Sequence, residues 1–168
     1  NFEVGPGVSP EADIYAVRVF GCSGGTQMVP QALDWAVAND MDVVNLSIVS
    51  PFGTADSIIS RAASNAVASG IVTVISAGNN GYKAPYIAAA PSVAPGAVAV
   101  SAVGAQDGKY ASFTSAGPRL GDSAVRPHVS APGVDVVSAQ VGGGTAGQPL
   151  DGTSMAAPHV AGAAALAV

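Results

Sequence analysis

Apolar residues along this chain fall into short runs with two periods. Residues 13–20 alternate as a strand does, 42–49 and 71–76 are further apolar strands, and 97–103 is another. Helical stretches lie between them. Thr26 is placed to cap a helix over about 27–39 with Pro30 in its first turn. Thr54 or Asp56 starts a second helix that runs to about Ser69 and stops at Gly70. In it Ile58, Ile59, Ala62, Ala63, Ala66 and Val67 recur at helical spacing and predict one apolar stripe. The order strand, helix, strand, helix, strand implies right-handed crossovers and a parallel sheet. Residues 80–96 read as a Pro/Ala-rich loop, and 106–150 as loops and short hairpins.

Composition sharpens that picture. The 168 residues are one domain's worth, 49% hydrophobic and only 10% charged, with Ala, Val and Gly abundant and aromatics few. A sheet buried on both faces, with thin helices packed closely over it, has this composition. The fold class expected is therefore α/β: three layers, a mostly parallel sheet with helices on both faces. No apolar run reaches the ~20 residues a membrane span needs. The six basic residues are scattered and the net charge is −5, so no nucleic-acid footprint is present. Cys22 is alone, which rules out an internal disulfide, and is read as a small packed residue. Gly142-Gly143-Gly144 is too short for a phosphate loop, and no Lys-Ser/Thr follows it.

The chemistry lies near the end, in Gly152-Thr153-Ser154-Met155-Ala156-Ala157-Pro158-His159-Val160-Ala161-Gly162. A serine hydroxyl is a poor nucleophile until a base takes its proton. At a helix mouth Ser154 would also present an unpaired backbone N–H in the field of the helix dipole, where an oxyanion is stabilised. Pro158 is expected in the first turn, where no internal N–H is lost. Ala156, Ala157, Ala161 and Gly162 keep the helix thin. Alone, Gly-Thr-Ser before an alanine-rich helix is an ordinary N-cap; the eleven-residue run is far more specific. A lipase-type G-x-S-x-G elbow does not fit, because Ala156 stands where its second glycine would be.

This run resembles the nucleophile segment of subtilisin-like serine proteases (subtilases, peptidase S8), and other segments extend the likeness over the chain. Ile71 to Gly81, containing Ser76-Ala77-Gly78-Asn79-Asn80, resembles the family's oxyanion segment. Gly7 to Val19 resembles the strand after the catalytic-histidine helix, and Met41 to Ser47 the next strand. Ala111 to Pro118 and Val129 to Gly133 resemble the segments leading to the serine. The resemblance implies that Ser154 is the nucleophile and that the Asn79 amide faces the oxyanion. It also implies that Ser47, Ile48 and Val49 wall the substrate cleft, bordered by Ser76, Ala77 and Gly78. Ser47 and Asn79 both fall at carboxyl ends of strands, where such folds place active sites. The family follows its cleft-wall serine with a hydrophobic residue and then one or two glycines; here Ser47 is followed by Ile48, Val49 and Ser50, and Val49 at a glycine position is expected to narrow the cleft entrance.

The family's Asp-Ser/Thr-Gly and His-Gly-Thr-His motifs are absent. His159 lies within the serine run and is read as structural, and His128 as a loop residue. Asp13, Asp34, Asp42 and Asp151 are read as solvated or capping. Residues 1–168 are therefore expected to be a partial peptidase domain, truncated at both ends, whose Asp and His come from preceding sequence. The function expected is an extracellular serine endopeptidase acting on polypeptides, inactive as this chain alone. The alternatives are a non-catalytic subtilisin-like peptide-binding module and, more weakly, a lipase-like acyl hydrolase. No cofactor is required. Calcium is possible as a structural ion, with carbonyls of the 84–96 loop as a weak site and no ligands assigned. Self-association, or pairing with the missing N-terminal part, is expected.

Overall fold

The computed structural model describes residues 4–22, 24–82 and 89–168. In chain order its elements are α1 (Val29–Ala38), β1 (Val43–Leu46), β2 (Ser50–Pro51), α2 (Ile58–Ala68), β3 (Val72–Ser76), β4 (Ala89–Ala90), β5 (Val98–Gly104), β6 (Val129–Val134), β7 (Val136–Ala139), β8 (Gly147–Leu150) and α3 (Thr153–Ala165). Four strands form the main sheet in the order β1-β3-β5-β6, every neighbouring pair parallel. Two-stranded antiparallel ladders join β2 to β4 and β7 to β8.

Helices cover both faces, as expected, and β3 shows how. Its Ile75 points into a core built with Val29, Leu33 and Ala36 of α1 and Ala63 and Ala66 of α2. Val74, one residue earlier, points the other way, to Val100, Ala102, Ala131 and the Ala156 and Ala157 of α3. A strand buried on both faces needs apolar residues at every position, which is why 71–76 reads as a continuous run. Because its inward residues are alanines, α3 lies close enough to contact all four strands of the sheet.

Both helices of the first layer end the same way. In α2 the Ile71 N–H bonds Ala66 O and the Gly70 N–H bonds Val67 O, with Gly70 at φ +100°. In α1 Met41 N–H bonds Ala36 O and Asp40 N–H bonds Val37 O, with Asp40 at φ +52°. These are Schellman turns, and each leads straight into a sheet strand.

Several expectations are corrected. Residues 13–20 form no ladder; they run extended past the β1 edge with Ile14 85% exposed. A strand exists by pairing, and here an apolar recess of about 620 Å³, lined by Val8, Ile14, Val17, Val44 and Ile48 among others, separates this segment from β1. Thr26 does not cap α1 directly: Met28 is the cap residue, and Thr26 Oγ1 accepts the Met28 N–H while donating to Val19 O. Helix α2 starts at neither Thr54 nor Asp56, because Ser57 Oγ accepts the Ser60 N–H at 3.3 Å. Ile58, in the expected stripe, is 79% exposed at the first helical position. Strand β1 stops at Leu46, since 50–51 turn away to pair with 89–90. The 106–150 stretch holds more than hairpins, as β6 completes the main sheet. Cys22 is exposed rather than packed.

Candidate active site

Parallel strands bring their carboxyl ends to one edge of the sheet, and Ser47 after β1 and Asn79 after β3 both arrive there. Helix α3 starts over the same edge. Its first residue, Thr153, is fully buried and ties the pieces together. Its N–H and its Oγ1 each donate to Asn79 Oδ1 at 2.9 Å, and its Oγ1 accepts the Gly78 N–H at 3.1 Å. With Oδ1 held by two donors, the amide orientation of Asn79 is determined, and Nδ2 keeps its two N–H groups for another partner.

Gly152 shows where those N–H groups lie. Its φ of +154° and ψ of 157° suit glycine alone. A methyl group there would come within 3.2 Å of Asn79 Nδ2 and 3.6 Å of Ser154 N. Two donors thus flank one small space. Ser154 is the second residue of α3, so its N–H has no acceptor within the helix, and the helix dipole adds partial positive charge at that end. The arrangement suits an oxygen carrying negative charge, with the Ser154 hydroxyl beside it. The helix start is itself pinned: Gly152 N–H donates to Gly133 O at 2.8 Å, and Asp151 Oδ1 accepts the Asp135 N–H at 2.7 Å.

The other candidates fall as follows. Ser47 meets Ser154 twice: Ser47 Oγ donates to Ser154 O at 2.8 Å, and Ser154 Oγ donates to Ser47 O at 3.3 Å. Ile48 and Val49 are half-buried and pack on the α1–α2 side of the core. The side chains of Ser76 and Ala77 are buried, and the Ala77 N–H bonds Val100 O. Both polar groups of Gly78 are engaged, its N–H by Thr153 and its carbonyl by the Ser115 N–H at 2.8 Å. These three residues support Asn79 from below. The loop considered for a weak cation falls partly on 83–88, outside the described residues; among the described residues no cluster of three or more His, Cys, Asp or Glu side chains could hold a metal ion.

Neither histidine faces Ser154. His159 turns its Nδ1 to its own helix, 2.8 Å from Met155 O. His128 sits at the amino ends of β5 and β6, across the sheet from the serine, where its Nδ1 accepts the Ala99 N–H at 2.9 Å. That bond requires a bare Nδ1. Burial, then the Arg126 and Arg119 charges, holds the ring's pKa below the ordinary histidine value. His128 is thus, as expected, an exposed loop residue, and its ring also anchors the start of β5.

Two expectations about the serine run change. Pro158 is not in the first turn: α3 begins at Thr153, so Pro158 is its sixth residue, inside the helix. In the sequence Thr153 is only one residue of the motif, yet its buried hydroxyl orients Asn79. The one signal in the sequence was a hydroxyl residue beside the nucleophile at a helix start, a pattern that ordinarily means a cap.

Comparison with known proteins identifies the family. The model of the subtilase family (Peptidase_S8) matches residues 1–168. Subtilisin amylosacchariticus of Bacillus subtilis subsp. amylosacchariticus is 42% identical over 163 residues, 95% of this chain and 40% of that protein. Subtilisin Savinase of Lederbergia lenta is 40% identical over 167 residues, again 95% of this chain and 55% of the relative. A cold-adapted subtilisin-like serine proteinase superimposes with a TM-score of 0.78 at 30% identity, covering 96% of this chain and 55% of that one. The PatG macrocyclase in complex with peptide gives 0.66 at 26% identity, covering 80% and 38%. The chain thus spans about half, or less, of the length of the relatives it matches. With the fold, a serine at the helix start over the strand ends and an oriented asparagine beside it, the chain belongs to the subtilase family.

Proposed function

We propose that this chain carries the nucleophile and the oxyanion donors of a serine endopeptidase, and that the general base and its orienting carboxylate reside in other parts of the whole protein. Ser154 Oγ attacks a peptide carbonyl. The oxygen that becomes negative is received by Asn79 Nδ2 and the Ser154 N–H, donors that are already oriented and so need no rearrangement as charge develops. The acyl group is held as an ester on Ser154 until water releases it. The observation that carries this reading is the Thr153–Asn79 pair of bonds, which leaves both Nδ2 protons free to meet an oxygen next to the nucleophile. Polypeptide is the substrate class, and extracellular action fits the family. The base and its carboxylate lie outside the chain because neither His159 nor His128 faces Ser154 and the family's Asp and His motifs are absent.

Without a base the chain alone is inert towards peptides. In subtilisin itself, removing triad members leaves only about 10³–10⁴ over water. The test is a fluorophosphonate probe applied to this chain and to the full-length protein. Ser154 is expected to be labelled within minutes in the full-length protein and far more slowly in the chain alone. A full-length protein that binds peptide but takes no probe would be a peptide-binding module instead. Fast labelling of the isolated chain would mean that a base is already present in it.

A further inference from the structure

The carbonyl of Ser154 lacks the partner that a helix normally supplies. In an α-helix it accepts the N–H of the residue four positions on, and that residue here is Pro158, which has none. The Ser47 hydroxyl occupies the vacant position, donating to Ser154 O at 2.8 Å, and is itself held by Asn45 Nδ2 at 3.2 Å. In the opposite direction the Ser154 hydroxyl donates to the Ser47 carbonyl at 3.3 Å. Two serines 107 positions apart therefore clasp one another across the gap between β1 and α3.

Building on the peptidase reading, we propose that Ser47 is a positioning residue for the nucleophile. Its side chain replaces the helix hydrogen bond that Pro158 deletes, and its carbonyl holds the Ser154 hydroxyl until a base takes the proton. The consequence is mechanical. The N–H, the Oγ and the carbonyl of Ser154 belong to one residue held in helical conformation, so a bond that fixes its carbonyl restricts the oxyanion donor and the attacking atom together. Left without a donor, that carbonyl would be a part-buried acceptor with no partner, and the first turn would shift to find one. Attack geometry tolerates such shifts poorly. Pro158, for its part, keeps the helix from satisfying Ser154 internally, which makes the nucleophile's position depend on the cleft wall.

The test is a double-mutant cycle in the full-length protein, reading kcat and KM on a peptide substrate, with Tm measured alongside. Ser47→Ala is expected to lower kcat about tenfold, with KM within about twofold, because a backbone acceptor loses its partner while substrate contacts remain. Ser47→Thr keeps a hydroxyl and should stay within about threefold of wild type. Pro158→Ala restores the N–H that Ser154 O lacks, so in that background Ser47→Ala should cost less than about threefold. An equal cost of Ser47→Ala in both backgrounds, or a change in KM alone, overturns the positioning role. A wild-type protein that neither cleaves peptide nor takes a fluorophosphonate overturns the peptidase reading and this inference with it. Wild-type activity in Ser47→Ala overturns the inference and leaves that reading standing.

Discussion

Two regions of this molecule use similar residues to opposite effect. At the carboxyl ends of the main strands, Gly78, Asn79, Gly152, Thr153 and Ser154 are tied together by backbone and side-chain bonds that leave the Asn79 amide N–H groups and the Ser154 N–H open. Along residues 13–20, a strand-like sequence lies without a ladder partner, with Ile14, Tyr15, Val17 and Phe20 exposed. The difference is one of partners rather than of propensity. The first region draws the bonds that orient Asn79 and Gly152 from residues of this chain. The second faces the edge of β1 across a recess, with Val8 against Gly162 of α3 and the Tyr15 ring 6.3 Å from that of Trp35 in α1. The bonds around Ser154 therefore do not involve the 13–20 segment, which has no ladder partner among the described residues.

The contrast can be broken most sharply at Asn79. In the full-length protein, Asn79→Ala is expected to lower kcat by about 10²–10³, a range measured for the corresponding loss in subtilisin itself, while KM moves little. A variant within threefold of wild type would remove the asparagine from the chemistry and leave the packed region a scaffold only. Next in size is a paired comparison in this chain, followed by urea denaturation. Leu33→Ala, in the core under α1, should cost about 2–5 kcal/mol, and Ile14→Asp, in the exposed segment, no more than about 0.5 kcal/mol. Equal costs would show that the N-terminal segment is as firmly packed as the core. The smallest effect is a pH dependence at His128. Its pKa is held below the ordinary value of 6.5, so the unfolded chain takes up a proton at higher pH than the folded one does. Stability should therefore be full above that ordinary value and decline as the pH falls below it, and His128→Asn should flatten that part of the curve. An unchanged slope between pH 7 and 5 would mean that the ring is free in solution.

Much of the architecture was visible in the order of residues. The continuous apolar run at 71–76 marked a strand buried on both faces, Gly70 marked the end of α2, and the serine run marked a helix start. The missed features share a cause. The 13–20 segment has strand periodicity, but a strand needs a neighbour, and the sequence does not say whether one is within reach. Strand β6, with Pro132 and Gly133 in it, reads as loop because its order comes from lying between β5 and α3. Pro158 was read as a first-turn residue because the start of α3 is set at Thr153 by a bond to Asn79, 74 positions away.

What the sequence determined by itself was local: which segments were apolar on both sides, where helices must stop, and that a serine stood at a helix start and an asparagine at a strand end. Only the folded structure decided how they meet. Thr153 orients Asn79, and Ser47 supplies the bond that Pro158 withholds from Ser154. Those choices belong to the tertiary level because hydrogen bonds between residues some 75 to 107 positions apart leave no periodicity in the chain.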